Sequence, residues 1–393
     1  MFAATADECE LKEQKPPERP TSRARIPWRR KLLFSTVVML FCFGLPELLL
    51  WLLWTPPTAD LTNVGQREFV PWLSDVTVED KTDQLYQEDR ELLWKFIPGV
   101  EIDSINHHRN PDGQRQPIHI SINDDGYRGT KTTPAADASR ILCLGDSNMF
   151  GYPLDDEHAF PNALHKALVP SGRKFEVVNA GVSGYSIAQG QRWYREQFQE
   201  EQFDILILSF LNNDAMRQPQ TDFDLFQRKT SLVSQASDFA RHSRLIQLAD
   251  ALVATKPSID DMPARVPLED FERLYRWFFN ECAQRNMYLI VLDFRAYDPY
   301  ESYSRVLQSL LRTTTYDYLA VKSTIEDEFN DLKMLELYPE LADQVQRRWS
   351  DAVLKDEPYL WYYAEFEHPE HLNEVGTAWL ADKVASKITN PSK

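Results

Sequence analysis

Cysteine is scarce: the 393 residues hold four, at Cys9, Cys42, Cys143 and Cys282, scattered and without a CxxC pair. That spacing excludes a dense disulfide framework, and it supplies neither a zinc knuckle nor a redox dithiol. Cys143 falls inside an apolar run and reads as a small buried hydrophobe. Positive charge is also in deficit, with 43 Lys and Arg against 60 Asp and Glu for a net charge of −17. Nucleic acid is a poor partner for such a chain, because phosphate binding needs a basic face. The argument does not touch sugars and esters, which carry little charge. The pair His107-His108 has no Cys, Asp or Glu at ligand spacing beside it and reads as loop. No metal and no cofactor is expected.

What is present divides into three parts. Hydrophobic residues make up 43% and charged residues 26%, a globular composition, and the length suits one large α/β domain or two ordinary ones. Residues 1–31 are polar and Pro-rich, without hydrophobic periodicity, and read as a disordered tail whose end, through Arg23, Arg25, Arg29, Arg30 and Lys31, is basic. Residues 32–54 then read LLFSTVVMLFCFGLPELLLWLLW. As a helix this run spans roughly 35 Å, enough to cross a bilayer with some tilt. The basic block before it and Trp51 and Trp54 at its end predict a cytoplasmic N-terminus and an extracytoplasmic remainder. A cleaved signal peptide is the rival reading; the run exceeds the usual apolar region and no small-x-small site follows it. Glu47 is the anomaly, a carboxylate about 10 Å from the outer end. It can snorkel, stay protonated or pair with a partner helix, or Pro46-Glu47 can mark a kinked helix end.

Residues 55–138 hold few long apolar runs and read as a stalk and β-rich approach segment, with a short strand and turn over 120–128. From Arg140 onward the pattern changes. Short apolar runs at 141–144, 175–178, 204–209 and 287–294 alternate with helical periodicity at 159–168, 186–198, 267–286 and 374–388. That alternation predicts a three-layer α/β domain over 139–393, a parallel sheet with helices on both faces. Helical insertions are expected at about 215–266, where 239–253 suits a cap over the site, and at about 313–359. Functional loops gather at the carboxyl ends of strands in such sheets, and the polar motifs at 145–147, 179–184 and 211–214 each follow a predicted strand.

Gly145-Asp146-Ser147 follows the first strand. A serine at a junction of strand end and helix start suits a nucleophile, since helix N–H groups face the negative charge that develops on attack. Gly145 permits the tight turn and Asp146 can fix the loop by accepting N–H bonds. The competing reading of Ser147 is a plain helix cap.

The companion motifs bear on that choice. The chain resembles the GDSL/SGNH hydrolase family, whose signature lies in four separate blocks. Residues 141–148 resemble the first, 179–184 the second, 211–214 the third and 371–376 the last, in the family's order over about 140–388. Gly151 and Asn179 fit the form of bacterial membrane-anchored members. The resemblance implies Ser147 as nucleophile, with the oxyanion held by the N–H of Ser147, the N–H of Gly184 (in preference to Gly181) and the amide of Asn213. It implies His371 as general base. Two departures stand out: Leu211 replaces the usual Gly of the third block, and His368 occupies the place of the Asp that normally orients the histidine. Losing an orienting carboxylate costs roughly 10⁴ in rate in a serine protease. Three arrangements stay open. Glu365, Glu367, Glu370 or a backbone carbonyl orients His371; or His368 is the base with Glu365 behind it; or the domain is weakly active and binds its ligand.

The implied activity is an extracytoplasmic serine esterase or deacylase acting on an ester-bearing small molecule, lipid or glycan, for example an O-acetylated sugar. An O-acyltransferase using the same acyl-enzyme, and an inactive glycan-binding or assembly protein, are the alternatives. The membrane, through residues 32–54, is the other expected partner. Trp349, Trp361, Tyr362 and Tyr363 read as hydrophobic core before they read as a sugar platform.

Overall fold

The computed structural model describes residues 27–53, 82–105, 117–129, 135–230, 243–253, 261–295, 300–329, 336–364 and 370–390. Most of the 1–31 tail, the first part of the approach segment and His107-His108 therefore lie outside the described residues.

Trp28–Leu53 forms one helical run of 26 residues with a mean hydropathy of 2.1, long and apolar enough to cross a membrane. It consists of α1 (Trp28–Met39), a π-helical turn at Leu40–Gly44 and α2 (Leu45–Leu53), and none of its residues is buried. The π turn falls just before Pro46, where the missing N–H and the ring disturb the ordinary hydrogen-bond ladder. Glu47 thus lies within the helix rather than at its end.

Two antiparallel hairpins follow, β1 (Tyr86–Asp89) with β2 (Leu93–Phe96), and β3 (Glu101–Ile105) with β4 (Pro117–Ser121). The turn after β4 is tied by Asn123, whose side chain accepts from the N–H groups of Asp125 and Tyr127. Each hairpin has one apolar face and must cover it. Leu92, Trp94, Phe96, Ile118 and Ile120 share a buried cluster with Leu142 and Leu144, so the two hairpins are built into the main domain's core.

The main domain then alternates strands and helices. In chain order these are β5 (Ser139–Gly145), α3 (Ser147–Phe150), α4 (Phe160–Leu168), β6 (Phe175–Gly181), α5 (Ile187–Gln197) and β7 (Ile205–Ser209). Next come α6 (Asn212–Ala215), α7 (Asp222–Thr230), α8 (Arg244–Val253), α9 (Leu268–Arg285), β8 (Tyr288–Asp293), α10 (Glu301–Leu311) and β9 (Asp317–Ala320). The chain closes with α11 (Val321–Phe329), α12 (Pro339–Arg348), α13 (Asp351–Asp356) and α14 (Glu374–Thr389). The five main-domain strands form one parallel sheet in the order β6-β5-β7-β8-β9.

Strand side chains alternate between two cores, which is why these runs are apolar throughout. Leu142, Leu144, Leu206, Leu208, Leu289 and Val291 face one cluster, with Trp193 of α5, Phe278 of α9 and Leu307 of α10. Ile141, Cys143, Ile205, Ile207, Ile290 and Leu292 face the other, with Leu164 of α4, Ile325 of α11 and Trp379 of α14. Helices therefore cover both faces, as expected.

The stretch at 313–359 differs from a pure helical insertion. It supplies the edge strand β9, four residues too short to register as a strand pattern. Its helices bury Val345, Trp349 and Leu354 in the second core, where Tyr362 and Tyr363 also lie and against which Trp361 packs. Within the insertion at 215–266, α8 packs on α2 among the described residues.

One glycine shows how tightly the sheet meets α3. A Cβ added at Gly181 would stand 2.2 Å from the Phe150 backbone nitrogen. Gly181→Ala should therefore destabilise the detergent-solubilised full chain by about 1–3 kcal/mol, seen as a midpoint lowered by several degrees in thermal unfolding. An unchanged midpoint would contradict this packing.

Candidate active site

In the strand order β6-β5-β7, the chain leaves β5 toward one side of the sheet and returns on the other. Such a switch point leaves a crevice at the carboxyl ends of the strands. Gly145 ends β5 there, and a Cβ on it would lie 2.6 Å from the Ser209 carbonyl oxygen at the end of β7. Asp146 caps α3 by accepting a 3.0 Å hydrogen bond from the Asn148 N–H, and Ser147 is the first residue of that turn. The cap reading of this sequence thus belongs to Asp146, leaving the Ser147 hydroxyl for other work.

The loop after β6 approaches from the next strand. Gly184 adopts φ +78°, a left-handed conformation that favours glycine. Its surroundings hold it firmly. Ser183 O accepts from Trp94 Nε1 at 3.3 Å, the Tyr185 hydroxyl donates to Trp94 O at 2.6 Å, and Arg265 Nη1 donates to Gly184 O at 2.8 Å. Arg265 in turn pairs with Asp222 at 3.0 Å, the two side chains 5% and 1% exposed. A buried ion pair of this kind fixes geometry through its full set of hydrogen bonds rather than by net attraction.

From the end of β7, the Asn213 amide reaches between these two loops, 3.3 Å from Tyr185 O and 3.4 Å from Asp146 Oδ2. Among the described residues the N–H groups of Ser147 and Gly184 have no acceptor. The Gly181 N–H, by contrast, donates to Asn179 Oδ1 at 3.1 Å, and Gly181 is needed for close packing. These contacts favour Gly184 over Gly181 as a free donor.

His371 Nε2 lies 2.8 Å from Ser147 Oγ. Asn373 secures that approach. Its Oδ1 caps α14 by accepting from the N–H groups of Val375 and Gly376, while its Nδ2 donates to Leu360 O and Tyr363 O. Gly376 is equally constrained, since a Cβ there would sit 2.3 Å from Tyr362 O. His371 O accepts from Ala364 N, and the Tyr152 ring meets the imidazole edge-on at 5.1 Å. Glu365, Glu367 and His368 lie outside the described residues; Glu370 is half-buried.

The chain is similar to GDSL/SGNH hydrolases. Solved structures that resemble it include a lipolytic protein of the G-D-S-L family from Desulfitobacterium hafniense, at 14% identity and a TM-score of 0.35 over 64% of this chain and 99% of that one. A lipase/acylhydrolase from Enterococcus faecalis has 12% identity and a TM-score of 0.38 over 65% and 99%. A catalytic mutant of an acetylxylan esterase from Geobacillus stearothermophilus has 14% identity and a TM-score of 0.38 over 66% and 98%. An arylesterase from Vibrio mimicus is 28% identical over 80 residues, which is 20% of this chain and 40% of that relative's length. No protein-family profile matches the chain.

Several supporting residues carried no motif. Trp94 reaches Ser183 across 89 positions, Arg265 reaches Gly184 across 81, and Asp222 holds Arg265; only their burial in the fold reveals them. Electrostatics single out Asp146. Burial pushes its carboxyl up to about 6, against the Asn148 N–H and the nearby His371, both of which favour the ionised form. By reciprocity, an ionised Asp146 favours the imidazolium form of His371.

The Asp146 carboxyl binds its proton more tightly folded than unfolded, where about 3.9 is usual, so ionisation erodes stability as pH rises from about 4 through about 6. Asp146→Asn removes that titration. The unfolding midpoint of the variant relative to the unmodified protein should therefore rise between pH 5 and pH 8, and a pH-independent difference would contradict the assignment.

Proposed function

We propose that this chain is a membrane-anchored serine esterase or deacylase that cleaves a carboxylic ester through an acyl-enzyme on Ser147. The observation that carries the reading is the 2.8 Å contact between His371 Nε2 and Ser147 Oγ. His371 Nε2 takes the hydroxyl proton as Oγ attacks the ester carbonyl carbon. The tetrahedral oxyanion is received by the N–H groups of Ser147 and Gly184 and by Asn213 Nδ2. His371 then returns the proton to the departing alkoxide, and the C–O bond breaks to leave acyl-Ser147. A water deprotonated by His371 attacks the acyl carbon; the bond from that carbon to Ser147 Oγ breaks, His371 returns the proton to Oγ, and the acid leaves.

Asp146 supports the charge that His371 carries midway through this cycle, which compensates in part for a histidine at position 368 in place of a carboxylate. The substrate is read as an uncharged ester on a small molecule, lipid or glycan, O-acetyl sugars included, in keeping with the net charge of −17. The basic block before residues 32–54 favours an anchor with the N-terminus in the cytoplasm and the site outside.

Hydrolysis of 4-nitrophenyl acetate by the full chain tests the reading. Ser147→Ala and His371→Ala should each lose about 10³-fold or more in kcat/KM, while His368→Ala keeps most of the activity. Equal rates for Ser147→Ala and the unmodified protein would overturn the proposal. A dead His368→Ala beside an active His371→Ala would move the base.

A further inference from the structure

Glu47 is the one acidic residue in the apolar run at 32–54, and its carboxylate has found a specific partner. Oε1 accepts from the Arg244 N–H at 2.6 Å, and Oε2 accepts from the Ser243 hydroxyl at 2.8 Å and the Leu245 N–H at 3.1 Å. Those donors open α8, so Glu47 of one helix caps the amino end of another nearly 200 positions later. Arg244 adds a guanidinium 5.7 Å from the Trp51 ring, one turn along α2. A carboxylate and a free helix amino end would each be costly in an apolar medium, and together they satisfy one another.

The rest of α8 fits the same medium. Its sequence, RLIQLADALV, sets Arg244, Gln247 and Asp250 three apart on one stripe and leaves the remaining positions apolar. Among its described side chains none is buried, and Ile246 is 38% exposed. Its principal packing partner among the described residues is α2. An amphipathic helix attached to the outer part of a membrane-spanning helix, with none of its described side chains buried, meets lipid there.

We infer that α8 is an interfacial helix, seated in the outer leaflet and fixed to the anchor by the Glu47 cap. The surface it fits is the lipid of the same membrane that α1 and α2 cross, so the inference rests on reading that run as a span. The arms of the insertion return to the site: Asp222 opens α7, and its partner Arg265 donates to Gly184 O.

The full chain carrying Cys9→Ser, Cys42→Ser and Ile246→Cys, labelled at position 246 with an environment-sensitive fluorophore in phosphatidylcholine vesicles, tests this. Lipids with a spin label high on the acyl chain should quench the fluorophore strongly and aqueous iodide weakly. Adding Glu47→Ala should raise iodide quenching several-fold, whereas Glu47→Gln, which keeps an acceptor oxygen, should stay close to the parent. Hydrolysis of 4-nitrophenyl acetate reports that each variant is folded. Retention after alkaline carbonate washing reports the span separately. A retained chain whose label is open to iodide and blind to the spin-labelled lipid overturns the inference and leaves the anchor standing. A chain washed from the vesicles overturns both. Lipid contact that survives Glu47→Ala unchanged overturns the role of the cap.

Discussion

Bringing an imidazole within 2.8 Å of a serine 224 positions earlier requires the end of β5 and the start of α14 to be held against each other. Neither element can do this alone. α3 is a single turn and contributes little rigidity of its own. It is fixed because Gly145 and Gly181 let backbone meet backbone beneath it, and because Arg128 donates to Phe150 O and Gly151 O at 3.0 Å each on the other side. α14 is fixed by the Asn373 cap and by its packing on α4 in the second core. The Ser147–His371 contact is the point at which these constraints meet.

The donors opposite depend on a different set of contacts. The Gly184 turn is gripped by Trp94 from a hairpin that precedes the sheet and by Arg265 from the end of the insertion. Polar groups buried this deeply are destabilising unless each finds a partner, which leaves the turn few alternative conformations. Preorganisation of that kind gives an oxyanion site its value, because the donors need not move when charge develops. The same bracing makes the β1-β2 hairpin a support of the Gly184 turn rather than a spacer before the sheet.

Much of this was legible from residue order. The apolar runs from Ile141 onward alternate with helical periodicity strongly enough to predict a parallel three-layer domain; the polar motifs at the strand ends pointed to Ser147, Gly184 and Asn213, and the family resemblance to His371. What was not legible has a physical reason in each case. β9 is four residues long, below the length at which alternation can be read. The hairpins looked like a stalk because each has only one apolar face, and burial of that face is visible only in three dimensions. Arg265 and Asp222 pair across 43 positions with no motif around either. Glu47 stood out in the sequence as a charge in the wrong medium, but nothing in the order of residues names Ser243 and Arg244 as its partners.

The central claim is that His371 activates Ser147. Brief exposure of the full chain to a fluorophosphonate, followed by mass spectrometry of its peptides, tests this most directly, because such reagents phosphonylate a serine only as fast as it is activated. The account predicts a single adduct, on Ser147, whose rate of formation collapses in His371→Ala. An adduct on another residue, or labelling of Ser147 at an undiminished rate without His371, would contradict it.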